Sequence, residues 1–225
     1  GNWSLTDANS MLDAMQYLNS SENLTIGSRT IRLTSLQDSG NVTNGGVDTK
    51  VLDIVSTVTI AEVNTEPTLI TTTPANLRYE ENTGAVQLFD SSIASTIEAG
   101  QNLIEFKLTV TNLVDGEDEK LTLDGTEFSL TATDSPITTL NGYNFIVEKK
   151  PLDSIAYITV TKVGDWSSTE MDSLVGGIMY RNSSESFSAE NNRIITLTSL
   201  KDSGGSSNGG DDEATELNQS ARVLL

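Results

Sequence analysis

Two glycine-rich loops carry the residues of this chain that are best suited to chemistry. They run from Asp38 through Asn44-Gly45-Gly46 to Asp48, and from Asp202 through Asn208-Gly209-Gly210 to Asp212. Glycine lets the backbone turn so that carbonyl oxygens face inwards between the two carboxylates of each loop. Calcium binds about 6–8 such oxygens. The pattern therefore predicts calcium binding. The alternative is a polar hairpin loop whose Asp and Asn side chains only cap turns.

Each loop can supply only part of a calcium shell, so further ligands must come from elsewhere in the chain. We expect them from Glu22 and Glu185, which occupy matching positions in two copies of a Tyr-x-Asn-Ser-Ser-Glu segment. Glu66 is a further candidate, for an ion between units. The acidic run from Asp115 to Glu119 is interpreted as a solvated loop.

The composition excludes most other site chemistries. The 225 residues include no Cys and no His, which rules out thiolate and imidazole metal ligands and every nucleophile that depends on histidine. The formal charge of −19 disfavours nucleic acid and anionic lipid as partners and favours cations. No apolar run approaches the roughly 20 residues of a membrane span, so we expect no membrane insertion.

A long internal repeat organises the chain. Residues 1–63 (the first copy) match residues 164–225 (the second copy) at an offset of 163, which becomes 164 after a one-residue insertion near residues 187–192. Trp3 corresponds to Trp166, the Tyr17 segment to the Tyr180 segment, and the first glycine-rich loop to the second. So many identities in register indicate a tandem repeat.

The offset exceeds the length of either copy, so the copies are halves of larger units. We predict that residues 1–63 are the C-terminal half of one repeat, residues 64–67 a joint, and residues 68–225 one complete repeat. The chain is then expected to begin inside a larger protein, or after a removed signal. A half-unit alone should expose an apolar face. We therefore expect residues 1–63 to dock on a neighbouring repeat, or to self-associate by swapping.

Hydrophobic periodicity predicts strands joined by short turns. Apolar residues alternate with polar ones in five segments, which is typical of half-buried strands: 31–34, 104–111, 143–148, 156–161 and 195–198. One short helix interrupts each copy, with apolar residues at helical spacing from Ala8 to Met15 and from Met171 to Ile178. Thr6 and Thr169 are the expected N-caps, and both tryptophans are expected to be packing anchors. The pattern predicts an all-β sandwich.

Several motifs together resemble a known family. They are Arg29-Thr-Ile-Arg-Leu-Thr-Ser-Leu-Gln-Asp-Ser-Gly40, Val63-Asn-Thr-Glu-Pro67, Tyr79-Glu-Glu-Asn82 and Leu113-Val-Asp-Gly through Leu-Asp-Gly125. Nearly the whole chain is similar to the cadherin-like repeats of giant bacterial surface adhesins of the RTX type. The resemblance implies Greek-key β-sandwiches of the cadherin or immunoglobulin kind, secretion to the bacterial cell surface, and roles in adhesion and biofilm.

The resemblance also implies calcium ligands at matching positions: Asp38, Asp48, Asp202, Asp212 and Glu81. The family's joint usually carries Asp where this chain has Thr65, which is a departure at the position of an inter-unit ion. The function implied is that of a calcium-stabilised extender that holds adhesive domains away from the cell. The alternative is a calcium-dependent sugar- or peptide-binding module of the same adhesin.

An enzyme is the third hypothesis, and we expect the protein not to be one. A glycosidase would need two carboxyls about 5–9.5 Å apart in a cleft. The repeated polar motif is a glycine-rich loop instead, which argues against that chemistry.

Overall fold

A computed structural model describes residues 3–20, 25–40, 42–133, 135–149, 154–188 and 191–225. The chain divides into two compact units, Gly1–Glu62 and Val63–Leu225. In the described residues, no helix has the length and apolar character that crossing a membrane requires.

The first unit is a helix and a two-stranded antiparallel ribbon. The helix α1 spans Leu5–Asp13, and the strands β1 and β2 span Gly27–Gln37 and Thr49–Ile60. The predicted strand at residues 31–34 lies inside β1, so that prediction is confirmed. None of the residues of α1 is buried. Among the described residues of this unit none is buried, so this part has the predicted local structure without a core of its own.

The described residues of the second unit form thirteen strands and one α-helix. In chain order they are β3 (Thr68–Thr72), β4 (Val86–Gln87), β5 (Ser91–Ser95), β6 (Leu103–Thr111), β7 (Glu119–Leu123), β8 (Thr126–Ser129), β9 (Ile137–Thr138), β10 (Tyr143–Lys149), β11 (Ala156–Trp166), α2 (Ser168–Gly176), β12 (Met179–Asn182), β13 (Arg193–Asp202), β14 (Glu213–Ala214) and β15 (Gln219–Val223). These include every strand predicted between residues 104 and 198.

Two main sheets enclose the core of the second unit. A seven-stranded sheet has the order β14-β13-β6-β11-β10-β9, with β15 also paired to β13, and a four-stranded sheet has the order β4-β12-β7-β8. Strands β3 and β5 form a separate pair. Phe128 of the smaller sheet and Phe145 of the larger one have ring centroids 4.3 Å apart. The prediction of an all-β fold is confirmed, and the two sheets share one hydrophobic cluster.

Strand alternation accounts for this core. Phe106, Leu108 and Val110 are buried on β6 while the residues between them are only partly covered. The same period of two buries Phe145 and Val147 on β10. Burying every second residue of a strand is what the sequence pattern requires when one sheet face meets a core.

The two helices share a capping device that the sequence analysis misplaced. The N-caps are Ser4 and Ser167, not Thr6 and Thr169, which lie inside the helices. Each serine hydroxyl accepts from the amide three residues later, and the acidic side chain at that position accepts a hydrogen bond from the serine amide. This reciprocal capping box satisfies two amides at once, which a threonine two residues later would not do.

The tryptophans differ between the copies. Trp166 is fully buried and stacks edge-on against Tyr143, as a packing anchor should. Trp3 is 64% exposed, so the expectation that it is an anchor is wrong for this structure. Tyr143, which contacts Trp166, and Leu103, which pairs with it, belong to residues 63–163 (the front segment), and residues 1–225 contain no second such segment for Trp3.

Candidate cation site

The described parts of the two glycine-rich loops share two backbone features. Each contains a single 3-10 turn, Thr43–Gly45 or Ser207–Gly209, with its Asn in the left-handed region at φ of 54° and 58° respectively. The amide of the first Asp donates to the carbonyl of the last, at 2.8 Å in the first loop and 2.9 Å in the second. The repeated sequence therefore specifies a repeated loop that closes on its two Asp residues.

In the first loop both carboxylates serve local hydrogen bonds. Asp38 Oδ1 accepts from the Gly40 amide at 2.7 Å. Asp48 accepts from Gln37 Nε2 at 2.9 Å and from Thr49 Oγ1 at 3.0 Å, and these bonds lower the pKa of its carboxyl below the ordinary value. Asp38 is exposed and Asp48 only partly covered. The arrangement matches the alternative interpretation of this loop, in which its acidic residues cap turns.

In the second loop Asp202 is fully buried. Its Oδ1 accepts from the Gly204 amide and from Asn64 Nδ2, both at 2.9 Å. Asp212 instead lies 3.4 Å from Lys201 Nζ and is only partly covered. The two predicted ligands of this loop are thus joined through their backbones, but their carboxyl groups have different partners.

Asn64 holds the start of the second unit against this loop. Its Nδ2 donates to the Asp211 carbonyl at 2.7 Å, and its own carbonyl accepts from the Asp211 amide at 3.0 Å. A Cβ at Gly204 would overlap the Asn64 side chain, and one at Gly210 would lie 2.9 Å from the Asn64 nitrogen. The glycines of the second loop therefore make room for Asn64, and the predicted joint begins inside the second unit.

Two unpartnered oxygens belong to side chains that meet at this junction. Gln101 Nε2 donates to Asn64 Oδ1 at 2.7 Å, so the side chains of Gln101 and Asp202 meet on one amide group. Among the described residues, Gln101 Oε1 and Asp202 Oδ2 are buried without a hydrogen-bond partner, and so is Glu98 Oε2, three residues before Gln101. All three atoms are acceptors, and two of them belong to carboxyl groups. This combination favours a cation over a further protein donor.

The other predicted ligands are exposed or lie outside the described residues. Glu81 and Glu185 are exposed, and Glu22 lies outside the described residues. Glu66 is exposed as well. In the part of the chain that the structure describes, no group of three or more acidic side chains is placed to hold a metal ion. The candidate site differs from such a group because it combines two carboxylates with the amide oxygen of Gln101.

A second polar cluster lies in the interior of the same unit. The buried Arg193 guanidinium pairs with Glu119 and, at 2.9 Å, with Asp115. Asn182 Nδ2 also donates to Asp115, at 2.7 Å, and the hydroxyl of Tyr79 donates to the Asn182 carbonyl. Burial raises the pKa of the Glu119 carboxyl above its ordinary value, against the opposing effect of Arg193.

This cluster corrects the interpretation of residues 115–119 as a solvated loop. Glu119 is completely buried, and the side chain of Asp115 is only 12% exposed. The run was misinterpreted because its partner, Arg193, lies more than seventy residues away along the chain. Arg193 pairs with both carboxylates, although Glu119 Oε2 is buried without a hydrogen-bond partner, and we interpret the cluster as a structural ion-pair network.

The sequence analysis missed Asn64, Glu98 and Gln101 as site residues. Asn64 could have been recognised from the sequence, because it belongs to the Val63-Asn-Thr-Glu-Pro67 motif on which the family resemblance rests. Glu98 and Gln101 lie in the turn that precedes β6, where no repeat or motif marks them. Only the tertiary fold brings Gln101 to the second glycine-rich loop.

Comparisons of the chain with protein-family models, with curated proteins and with solved structures find no match. The site must therefore be interpreted from its own geometry.

Proposed function

We propose that the protein is a calcium-stabilised structural repeat of a secreted bacterial surface adhesin, which holds adhesive domains away from the cell. The observation that carries the calcium assignment is the pair of buried, unpartnered oxygens of Gln101 and Asp202, whose side chains both bond Asn64, with that of Glu98 three residues before Gln101. The tandem repeat and the charge of −19 support the extender role. The adhesin assignment itself rests on the family resemblance of the sequence.

Calcium suits this site for electrostatic reasons. A buried acceptor without a partner costs about 1–3 kcal/mol, and more when it is charged. Calcium would satisfy all three oxygens at once, and backbone carbonyls or water would complete its shell. Magnesium is a poorer candidate because it demands a tighter octahedron and gives up its water reluctantly.

The ion would act on stability rather than on chemistry. A ligand that binds only the folded state adds about 2.7 kcal/mol at a hundredfold excess over its Kd. Extracellular modules bind calcium with Kd of about 10⁻⁴–10⁻³ M. Such a repeat would be stiffened only where calcium reaches millimolar concentrations, which fits an extracellular location.

The proposal also includes a Greek-key topology for the second unit. In the larger sheet β6 lies between β13 and β11, strands that follow it in the sequence by 45 or more residues. Such long returns between neighbouring strands support the Greek-key arrangement of cadherin-like and immunoglobulin-like sandwiches.

Thermal unfolding in EDTA, in millimolar calcium and in millimolar magnesium tests the proposal. Calcium should raise the Tm of the second unit by about 5–10 °C, the shift that such a binding energy gives a domain of this size. The variant D202N keeps the acceptor for Gly204 and Asn64 but removes the charge, so it should lose most of the calcium-induced shift.

The matched control is D38N, at the equivalent position of the first loop. It should leave the calcium-induced shift of the second unit unchanged. An equal shift in wild type and D202N would contradict the site, and the absence of any shift would contradict calcium stabilisation.

A further inference from the structure

We infer that the first copy is a docking surface for an additional polypeptide segment with the chemistry of the front segment, residues 63–163. The second copy shows what such a segment covers, because it is the same sequence pattern with a front segment in place. Four independent correspondences between the first and second copies identify the surface and its occupant. They concern the apolar side chains, the strand edge, the charge of an arginine and the glycine-rich loop. The inference does not depend on calcium.

The apolar side chains give the first correspondence. Leu36 and Met15 are 53% and 54% exposed in the first copy, whereas their equivalents Leu200 and Ile178 are fully buried. Tyr17 and Trp3 are likewise exposed in the first copy, whereas their equivalents Tyr180 and Trp166 are fully buried. Exposed apolar side chains that repeat a buried set mark a surface that needs a partner.

The strand edge gives the second correspondence. Strand β13 pairs with β6 on one edge and with β14 and β15 on the other. Its equivalent, β1, pairs with β2, and no other described strand joins it. In the second copy the edge facing β6 aligns Leu197 with Leu108 and Leu200 with Phe106. A strand like β6 can therefore add to β1 by the same ladder.

Charge gives the third correspondence and makes the occupant specific. Arg29 is equivalent to Arg193, whose guanidinium is buried against Asp115 and Glu119 of the front segment. In the first copy Arg29 donates instead to backbone carbonyls close by in sequence, at Thr25 and Ser28. A docked segment must bring two carboxylates to Arg29, as Asp115 and Glu119 do for Arg193.

The glycine-rich loop gives the fourth correspondence. In the second copy Asn64, at the start of the front segment, lies against Gly204 and Gly210. The equivalent Gly40 has only the Asp38 side chain near the position of a Cβ. The described part of the first loop shares the closing hydrogen bond and the 3-10 turn of the second, so it is suited to receive an Asn with the chemistry of Asn64.

Stoichiometry excludes another molecule of residues 1–225 as the general occupant of the first copy's surface. Residues 1–225 contain one front segment and two copies that need one. Swapping between identical chains would cover a first copy only by uncovering a second copy. The occupant is therefore an additional front segment.

Hydrogen exchange on a fusion tests the inference. An extra copy of residues 63–163 is placed directly ahead of Gly1, so that its Val163 precedes Gly1 as Val163 precedes Gly164 in the chain. Amide exchange in Gly27–Gln37 should slow by about tenfold or more relative to the unfused chain, since a core strand opens far less often than an exposed one.

The matched control is L36D. Leu36 is exposed in the unfused chain, so L36D should leave exchange there unchanged, whereas in the fusion it would place a charge at a buried position and remove the protection. Unchanged exchange in the fusion would overturn the inference. Protection already present in the unfused chain would also overturn it, whether light scattering shows that chain to be a monomer or a dimer.

Discussion

The first and second copies share a sequence pattern, yet only the second is part of a core. Helices α1 and α2 have the same length and the same capping box, and the two glycine-rich loops close with the same hydrogen bond. Leu200 is nevertheless fully buried while Leu36 is 53% exposed. Local structure therefore follows from each copy's own residues, whereas burial follows from the front segment that only the second copy has.

The largest expected difference between the copies concerns their equivalent arginines. R193M should destabilise the second unit by about 3–5 kcal/mol, because it leaves the carboxylates of Asp115 and Glu119 buried without their cation. R29M should change stability by less than about 0.5 kcal/mol, since Arg29 binds only nearby carbonyls.

Chemical denaturation followed by far-UV circular dichroism measures both variants. The double variant R193M/E119Q serves as control and should recover part of the loss, because it removes one uncompensated charge. Equal effects of R193M and R29M would break the comparison between the copies.

Replacing the equivalent glycines Gly204 and Gly40 by alanine should give a smaller difference in stability. G204A should cost about 1–3 kcal/mol, because a Cβ there would overlap Asn64 and lie 2.6 Å from Gln101 Nε2. G40A should cost less than about 0.5 kcal/mol, since its Cβ would meet only the movable Asp38 side chain at 2.8 Å. Neither glycine has a positive φ, so the contrast isolates the presence of Asn64. Urea unfolding of both variants measures it.

The smallest expected difference in stability concerns the capping boxes of the two helices, and it depends on pH. Hydrogen bonds from Lys162 and Ser167 lower the pKa of Glu170 from its ordinary value of 4.5 to about 2. A carboxyl with a lowered pKa in the folded state stabilises the protein above its unfolded pKa, and this contribution is lost as the pH falls from 4.5 towards 2.

Substitution of Glu170 tests this contribution. E170Q should lower stability at pH 7 by less than about 1 kcal/mol, because solvent screens this partly exposed group, and by nothing near pH 2. The equivalent Asp7 has Ser4 as its hydrogen-bond partner, and D7N should leave unfolding of the second unit unchanged at every pH. Thermal unfolding curves recorded between pH 2 and pH 7 measure these differences in stability. A loss for E170Q that persists at pH 2 would contradict the electrostatic cause.

Strands, helices and turns could be predicted because short-range chemistry specifies them. The alternation in Phe106, Leu108 and Val110 requires a strand with one buried face. The repeat predicted two loops of one shape, and the Asp-to-Asp hydrogen bonds of both loops agree. The N-caps were wrong by two residues, because the threonines stood closer to the apolar face than Ser4 and Ser167 did.

The candidate site was only half predictable, for a physical reason. Asp202 was predicted as a ligand because the repeat marks it, but its equivalence with Asp38 does not extend to burial. A carboxylate becomes a buried, unpartnered ligand only when other segments exclude water from it, and Asn64 and Gln101 do so from far away in the sequence. A repeat in sequence therefore predicts loop geometry, but not the environment of the loop.

Diffraction from crystals of the protein grown with calcium tests the central claim most directly. The account predicts an anomalous peak at about 2.3–2.6 Å from Asp202 Oδ2 and Gln101 Oε1, with no equivalent peak at Asp38. Ordinary water hydrogen-bonded to those oxygens, or ions bound equally at both glycine-rich loops, would contradict it.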